Sequence, residues 1–362
     1  MTTSVPRVKL AHEVAKKLCE DIACRRWDSE LPPERELCRT YVVSRRTLRE
    51  ALQMLFARDI IARQARRPPR IVRRKFSWEG VRTQTVAILS AFPLDLAEPE
   101  ALRILQTVAA RLQSQDIAVR FIVGAGYYST GFRRLQKLVE GNRIDCWVIH
   151  RCPPAMQTFL VAGGYPVVLL GSTSDSPGLS LPCVDMDRHA AAYHAAGKLM
   201  QAGYRRICLF VPDENVFGDL ACRRGFEEAC DRCETSGTLS SEIITYRDEP
   251  TTIRKAVERI MRKSPASSER TGIIITRVRP SLMLLTHILS MGIRVPQHVG
   301  VLSTDWTPLF AYLSPSMAGY QVPYEQVARC LTGHILAVTH GETLRTPQQY
   351  LIPEYKAGTT CM

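Results

Sequence analysis

The chain has 362 residues, of which 45% are hydrophobic, and its formal net charge is +13. A chain of this length exceeds one ordinary hydrophobic core and predicts two or three domains. No apolar run approaches the roughly 20 residues that cross a bilayer, and the N-terminus lacks the basic and then apolar pattern of a secretory signal. We therefore expect a cytoplasmic protein, and these features exclude the membrane and secreted classes.

The positive charge is concentrated near the N-terminus. Residues 1–75 hold 19 Lys and Arg against 9 Asp and Glu, a net charge of +10, whereas the other 287 residues hold 29 against 26, a net charge of +3. A segment this basic produces a local positive field that attracts a polyanion. The uneven charge therefore indicates that the first 75 residues bind nucleic acid.

Two helices joined by a turn are predicted at the start of this basic segment. The first has Val14, Leu18 and Ile22 on one face, and the second runs from Glu34 to Tyr41 after a turn that contains two prolines. Proline is tolerated at the first position of a helix because the N–H that it lacks would have no partner there. Short helices joined in this way form a helix-turn-helix.

A third short helix is predicted in the stretch VSRRTLREAL, which begins at Val43, and Ser44 is a natural N-cap for it. Four apolar residues fall at i, i+3, i+4 and i+7 and form one stripe that can be buried: Leu48, Ala51, Leu52 and Leu55. Arg45, Arg46 and Arg49 occupy the remaining arc. A guanidinium matches both a phosphate and the O6/N7 edge of guanine, so these arginines suit a major groove. The alternative is a solvated charged face, since basic helix faces are common.

Two short strand-like runs follow the third helix, Ile60–Arg63 and Arg70–Val72, and the very basic segment Gln64–Pro69 separates them. This pattern predicts a wing. The stretch from Leu31 to Gln64 then resembles the winged helix of GntR-type bacterial transcription regulators, and the resemblance covers roughly residues 8–73. The wing departs from that family, whose tip usually contains glycines, because residues 65–70 read ARRPPR here.

The resemblance implies a set of DNA contacts. In the helix-turn-helix they fall on Arg35, Ser44, Arg45, Thr47 and Arg49, with Arg46 as an additional candidate. Arg66 and Arg67 are candidate contacts in the wing.

Beyond a predicted linker at 76–84, short apolar runs alternate with amphipathic helices. The predicted strands are Val86–Leu89, Val119–Val123, Cys146–Ile149, Val167–Leu170, Ile207–Val211, Ile243–Tyr246, Gly272–Thr276 and Val299–Leu302. The predicted helices are Pro99–Gln113, Arg133–Glu140, His189–Gln201, Asp219–Arg232, Thr252–Lys263 and Ser281–Met291. Alternation of this kind predicts crossover units and parallel sheets, and two successive sets predict two Rossmann-like lobes. Ligands bind such sheets beyond the carboxyl ends of the strands, which here means the cleft between the lobes.

The second half of the chain also resembles a known family, the LacI-type effector domain, over roughly residues 84–355. The matching strings are Val184–Asp187, Gly203–Ile207, Arg223–Phe226, Gly292–Pro296 and Val299–Asp305. The resemblance implies that a domain at 85–355 binds a small-molecule effector and forms a homodimer. The predicted fold is an α+β winged helix-turn-helix at 1–75 followed by an α/β domain of two Rossmann-like lobes of periplasmic-binding-protein type I. This combination is similar to the arabinose-type repressors.

Two positions depart from the LacI-type pattern where that family grips its ligand. The family usually has an arginine where this chain has Cys222, and it has an Asn-Asp pair where this chain has Arg277 and Arg279. The candidate effector-binding residues are Phe92, Asp185, Cys222, Arg277, Arg279 and Asp305.

The substituted arginines bear on the class of effector, because a guanidinium can only donate hydrogen bonds and a neutral sugar would leave it unpaired. One alternative is that Asp185, Asp187 or Asp305 neutralises an arginine from within and closes the cleft to ligand. The other is that the effector is a sugar acid or a sugar phosphate. We expect the anionic effector, since a charge-assisted bidentate contact strongly favours one lobe arrangement. A third alternative is a rearranged pocket in a domain that serves mainly for dimerisation.

The sequence offers little support for other chemistry. Cys230 and Cys233 form a lone C-x-x-C pair without a second pair or a histidine at zinc spacing, and the eight histidines are scattered. No phosphate loop, dinucleotide loop or Gly-x-Ser-x-Gly elbow is present. We therefore assign no catalytic residue, no metal and no cofactor.

These patterns together predict a cytoplasmic transcriptional repressor that binds double-stranded DNA. We expect a homodimer on a palindromic operator, because two-fold symmetry in the protein matches two-fold symmetry in the site. One alternative is a DNA-binding regulator that binds no small molecule or senses thiol oxidation at Cys230 and Cys233. A second is a cytoplasmic solute-binding protein or an enzyme.

Overall fold

A computed structural model describes residues 7–24, 26–27, 29–64, 67–72, 84–93, 98–176, 178–213, 216–234, 239–247, 249–263 and 270–361. The chain divides into two compact units, Met1–Thr83 and Gln84–Met362. Apart from Gln84, the predicted linker at 76–84 lies outside the described residues. No helix in the described ranges is long and apolar enough to cross a membrane.

The N-terminal unit is a winged helix-turn-helix. Its elements are α1 (Arg7–Ala23), α2 (Glu34–Thr40), α3 (Arg45–Phe56), β1 (Ile61–Gln64) and β2 (Arg67–Ile71). The three helices bury a shared apolar core in which Leu18, Leu37 and Leu48 are at most 1% exposed. The predicted stripe of α3 is buried along its whole length, which fixes the arc that faces solvent.

The wing is built without glycine. β1 and β2 pair antiparallel with Ile61 opposite Ile71. The segment before α2 extends the pairing, because Leu31 N–H donates to the carbonyl of Pro69 at 2.9 Å. Gln64 Nε2 donates to the carbonyl of Pro68 and to Glu30 Oε1, both at 3.0 Å. Proline has no N–H to donate, so the wing uses the carbonyl groups of its two prolines instead.

The C-terminal unit alternates strands with helices. In chain order its elements are β3 (Thr85–Ser90), α4 (Pro99–Gln113), β4 (Ala118–Val123), α5 (Arg133–Gly141), β5 (Cys146–His150), α6 (Pro154–Ala162), β6 (Val167–Leu170), β7 (Cys183–Met186), α7 (Arg188–Gln201), β8 (Arg206–Pro212), α8 (Phe217–Glu234), β9 (Ser240–Tyr246), α9 (Pro250–Lys263), β10 (Thr271–Ile275), α10 (Val278–Ser290), β11 (Val299–Ser303), β12 (Ala318–Gln321), α11 (Tyr324–His340), β13 (Gln348–Leu351) and β14 (Glu354–Lys356). Short 3-10 helices lie at Ala125–Tyr127 and Pro308–Tyr312.

The strands form two sheets, each with six strands in the described part of the chain. The first has the order β13-β7-β6-β5-β3-β4 and the second β14-β12-β11-β10-β8-β9. Neighbouring strands run parallel except β12 and β14, which run antiparallel. The two predicted Rossmann-like lobes are therefore confirmed. Each central strand is buried along its length, which is why the sequence shows short unbroken apolar runs there.

Some elements were not predicted. The helices α6 and α11 and the strands β7, β12, β13 and β14 lie in stretches where no element was expected. The helix α10 begins at Val278, three residues before the predicted start at Ser281, so Arg277 occupies its N-cap position.

The chain crosses between the lobes after β7, after β12 and after β13. The helix α11 packs on α4 and β7 in the first lobe, and α7 packs on α8 in the second. Gly225 permits the close approach of α7 and α8, because a Cβ at this position would lie 2.2 Å from the carbonyl oxygen of His189. The carboxyl ends of both sheets border a cleft between the lobes, as expected for parallel sheets of this type.

Candidate DNA-binding surface and inter-lobe cleft

The helix α3 is capped at its N-terminus by Ser44. The Oγ atom of Ser44 accepts a hydrogen bond from Thr47 N–H at 3.2 Å and lies 2.8 Å from Thr47 Oγ1. The predicted N-cap is therefore present. Thr47 is only 3% exposed, so its side chain closes the helix end and does not reach solvent. We accordingly omit Thr47 from the DNA contacts proposed below.

The three arginines of α3 are exposed but differ in their surroundings. Arg46 Nε lies 3.3 Å from Glu50 Oε1, and Arg49 Nε lies 3.1 Å from Glu34 Oε2. Arg45 is exposed and has no carboxylate partner among the described residues. The charge of Arg45 is therefore the most available of the three for a phosphate or a base edge.

The remaining candidate DNA contacts lie on α2 and the wing. Arg35 is exposed and follows Glu34, the residue that pairs with Arg49, so Arg35 lies near the N-terminal half of α3. Arg66 lies outside the described residues. The backbone of Arg67 belongs to β2, but the position of its side chain is outside the described part.

The cleft between the lobes holds a cavity of about 90 Å³. Its polar lining comes from residues that follow strands or begin helices, with Glu98, Glu100, His150, Arg151, Ser172 and Asp185 on one side and Arg188, Arg277 and Asp305 on the other. Apolar side chains such as Ile104, Leu170 and Trp306 complete the wall. A concave site with apolar walls and converging polar groups is typical of small-molecule sites.

Arg277 is buried and paired with carboxylates of its own lobe. Its Nη2 atom donates to Asp219 Oδ1 at 2.8 Å and to Asp219 Oδ2 at 3.1 Å, and its backbone N–H donates to Asp305 Oδ2 at 2.9 Å. Burial alone would lower the pKa of Arg277, but the nearby charges of Asp219 and Asp305 together outweigh it and hold the pKa above its usual range. The expectation that Arg277 would need an anionic ligand as its partner is therefore wrong: Asp219, which was not a candidate, supplies the negative charge.

Arg188 links the two lobes electrostatically. Its Nη1 donates to Asp305 Oδ1 in the second lobe at 3.1 Å, and its Nε lies 3.4 Å from Asp185 Oδ2 in the first. Gly218 leaves room for this side chain, because a Cβ there would lie 2.8 Å from Arg188 Cδ. Arg188 and Arg277 together hold the pKa of Asp305 down at about 2, although burial alone would raise it.

An acidic corner lies at the start of α4. Glu98 Oε2 accepts a hydrogen bond from Val278 N–H, across the cleft, at 3.2 Å. Glu100 is 7% exposed, and its Oε1 has no hydrogen-bond partner among the described residues. Burial raises the pKa of Glu100 to about 7 and also raises that of Glu98. His150 lies at the carboxyl end of β5, and burial lowers its pKa to about 3, so its ring is neutral.

Three of the six candidate effector residues lie away from the cleft lining. Cys222 is completely buried within the second lobe, and burial raises its thiol pKa to about 12. Arg279 is exposed on α10, two residues after the inward-facing Arg277. Phe92 is 40% exposed, and the Arg151 guanidinium lies 5.9 Å from its ring centre. Asp185, Arg277 and Asp305 do line the cleft.

Several lining residues were missed, above all Arg188, Glu98 and Glu100. Arg188 directly follows the Asp185–Asp187 stretch, and Glu98 and Glu100 flank a proline that starts a predicted helix. Their positions at helix starts could have predicted that they line the cleft. A charged residue at the start of a helix that follows a parallel strand lies at the ligand-binding edge of the sheet.

The geometry of the described residues supports neither thiol sensing nor a metal site. Cys230 is 1% exposed, and the side chain of Cys233 is outside the described part. No group of three or more His, Cys, Asp or Glu that could hold a metal is found in the described ranges.

Comparison with known families agrees with this architecture. Residues 10–71 match the bacterial regulatory proteins of the gntR family, and residues 196–361 match the periplasmic binding protein-like domain. The chain thus joins a GntR-type DNA-binding domain to a periplasmic-binding-protein-like domain, and it is a DNA-binding transcriptional regulator.

Individual relatives match most of the chain. The chain is 25% identical over 272 residues to the HTH-type transcriptional regulator CelR of Thermobifida fusca, covering 72% of this chain and 76% of that protein. It is 22% identical over 285 residues to the arabinose metabolism transcriptional repressor of Geobacillus stearothermophilus, covering 77% of this chain and 76% of that protein. The solved structure of a transcriptional regulator CelR–cellobiose complex has a TM-score of 0.66 to this chain at 16% sequence identity. The match covers 98% of this chain and 100% of that chain. At this identity the solved structure shows the fold alone.

Proposed function

We propose that the protein is a sugar-responsive repressor that binds its operator through α3 and the wing and binds a neutral sugar in the inter-lobe cleft. The observation that carries the proposal is the cleft itself, in which buried, mutually neutralised charges lie at the carboxyl ends of two parallel sheets. The names of the relatives support it, because one is solved with cellobiose and another is a repressor of arabinose metabolism.

The class of ligand follows from the charges and from two unpaired atoms. Asp185, Asp219 and Asp305 together offset Arg188 and Arg277, so these arginines leave no excess positive charge for an anion to neutralise. In the described residues neither Glu100 Oε1 nor Arg277 Nε has a hydrogen-bond partner. A sugar hydroxyl both donates and accepts, so it can satisfy either atom.

The DNA contacts in this proposal are Arg35, Ser44, Arg45, Arg46 and Arg49, with Arg66 and Arg67 in the wing. We further propose a homodimer, formed by the C-terminal unit, on a palindromic operator. Two tethered winged helices make the second DNA contact intramolecular and so raise affinity without any new contact. Sedimentation of the full chain tests this: a dimer is expected, and a monomer that still binds operator DNA with full affinity would refute it.

A thermal-shift comparison tests the class of effector. The probes are cellobiose, L-arabinose and D-glucose as neutral sugars, and gluconate and glucose 6-phosphate as anions. A neutral sugar should raise the melting temperature of the wild type, and Arg277→Lys should lose most of that shift. The matched control is Arg224→Lys, which alters an exposed ion pair with Asp175 on the same unit. Stabilisation by the anions only would contradict the neutral-sugar proposal.

A further inference from the structure

Glu100 is an unusual residue of the cleft because part of its carboxyl group is buried without a partner. It lies in the first turn of α4, lines the cleft and is 7% exposed. Its Oε1 atom is buried and has no hydrogen-bond partner within the described part of the chain. A buried polar atom left unpaired destabilises the protein, so such an atom in a binding cleft indicates a partner that the ligand supplies.

The charged and titratable groups around Glu100 come from every element that borders this corner. They are Glu98 in the segment before α4, Arg103 on α4, His150 and Arg151 after β5, Arg188 on α7, Arg277 before α10 and Asp305 after β11. A guanidinium is not deprotonated in proteins. The pKa of Asp305 is held at about 2 and that of His150 at about 3, so neither group titrates near neutral pH. Glu100, whose pKa is raised to about 7, is therefore the group that changes charge near neutral pH, and burial also raises the pKa of Glu98.

We propose that Glu100 accepts a hydrogen bond from a hydroxyl of the bound sugar, and that this contact makes sugar binding depend on pH around neutrality. The inference rests on the proposed function, since it names the residue that recognises the ligand class in the same cleft. An ionised carboxylate is a stronger acceptor than a protonated one, so the sugar binds the ionised form better. Binding therefore releases a proton from the fraction of molecules in which Glu100 is protonated.

The direction and size of the effect follow from the titration. Burial, with smaller contributions from Asp305 and Glu98, raises the pKa of Glu100 to about 7, against the opposing effects of a hydrogen bond from its own backbone amide and of the Arg103 charge. A group with this pKa is about one tenth ionised at pH 6 and about nine tenths at pH 8, so sugar affinity should rise about tenfold between these pH values. Glu98 already accepts the Val278 N–H, which leaves it less free to receive a sugar hydroxyl.

The test is calorimetric titration of the full chain with cellobiose, L-arabinose and D-glucose at pH 6, 7 and 8. Three substitutions are compared with the wild type: Glu100→Gln, Glu98→Gln and, as a matched control, Glu342→Gln at an exposed position. Glutamine keeps the shape and an acceptor but does not titrate. The wild type and Glu342→Gln should show the tenfold rise and release protons at pH 7, whereas Glu100→Gln should show neither.

Melting temperatures measured without sugar distinguish a loss of sugar binding from a folding defect. The ionised, unpaired Glu100 destabilises the free protein, so Glu100→Gln should raise the melting temperature more at pH 8 than at pH 5. Sugar binding with the same pH dependence in the wild type and Glu100→Gln, or loss of the dependence in Glu98→Gln alone, would overturn the inference and leave the proposed function intact. If none of the three sugars binds the wild type at any pH, the proposed effector class and this inference both fail.

Discussion

Arg277 donates to both oxygens of Asp219, at 2.8 and 3.1 Å, and the two side chains are 6% and 0% exposed. Asp219 lies in the first turn of α8, where the positive end of the helix dipole also favours a carboxylate. The pair therefore fixes the N-terminus of α8 to the carboxyl end of β10. Arg277 itself has a φ of 73°, a strained conformation for a residue other than glycine.

Replacing one partner of this pair leaves the other charge buried and uncompensated. Arg277→Met and Asp219→Leu should each lower the free energy of unfolding by about 3–5 kcal/mol, and the double variant should recover much of that loss. The measurement is urea unfolding of the full chain. Arg224→Met serves as control, since its pair with Asp175 is exposed and contributes at most about 1 kcal/mol. Equal effects in the buried and exposed pairs would contradict this account.

Asp305 should make stability depend on acidic pH. Arg188 and Arg277 outweigh the effect of burial and lower its pKa from 3.8 to about 2. A carboxylate with a lowered pKa contributes stability above its unfolded pKa, and this contribution is lost as the pH falls through the folded value. The melting temperatures of wild type and Asp305→Asn should differ equally at pH 7 and pH 5 and by less at pH 3. A difference that already shrinks between pH 7 and pH 5 would refute the assignment.

The cap of α3 gives a separate prediction in the N-terminal unit. Ser44→Ala removes the acceptor of the Thr47 N–H and should reduce the stability of α3 by about 1 kcal/mol, whereas Ser44→Asp should retain most of it. Hydrogen exchange of the α3 amides in protein free of DNA reports this without interference from a DNA contact. Unchanged exchange in Ser44→Ala would show that the cap contributes nothing.

The arginines of α3 should differ in their importance for DNA. Arg45 has no carboxylate partner among the described residues, so Arg45→Ala should cost about 1–3 kcal/mol in specific binding and relax base preference. Arg46 and Arg49 must first leave Glu50 and Glu34, so their replacement should cost less. Fluorescence anisotropy with a selected DNA site measures all three, and Arg120→Ala on the exposed edge strand β4 is the charge-matched control. An Arg45→Ala variant with wild-type affinity would contradict the proposed recognition surface.

How far the sequence predicted the structure depended on whether the signal was local. The stripe of Leu48, Ala51, Leu52 and Leu55 and the cap at Ser44 are local patterns, and both are present as predicted. The buried strands were equally readable, because a strand covered on both faces is a short apolar run.

The cleft was predicted less well, because partners there are distant in sequence. Arg277 was recognised, but its partner Asp219 lies 58 residues away. Cys222 was placed at the ligand by family position, yet it faces the core of its lobe. The direction in which a side chain points depends on where its helix begins. The helix α10 begins three residues earlier than predicted. Arg277 therefore faces inward at the N-cap position, whereas Arg279 is exposed.

The most direct test of the central claim joins operator and effector in one experiment. Full-length protein is first used to select its site from random-sequence DNA, and the complex with that site is then titrated with cellobiose, L-arabinose and D-glucose. We expect a recoverable palindromic motif and an at least tenfold change in DNA affinity with one neutral sugar, absent in Arg277→Lys. No recoverable motif, or a motif whose affinity none of these sugars alters, would contradict the claim that this protein is a sugar-responsive repressor.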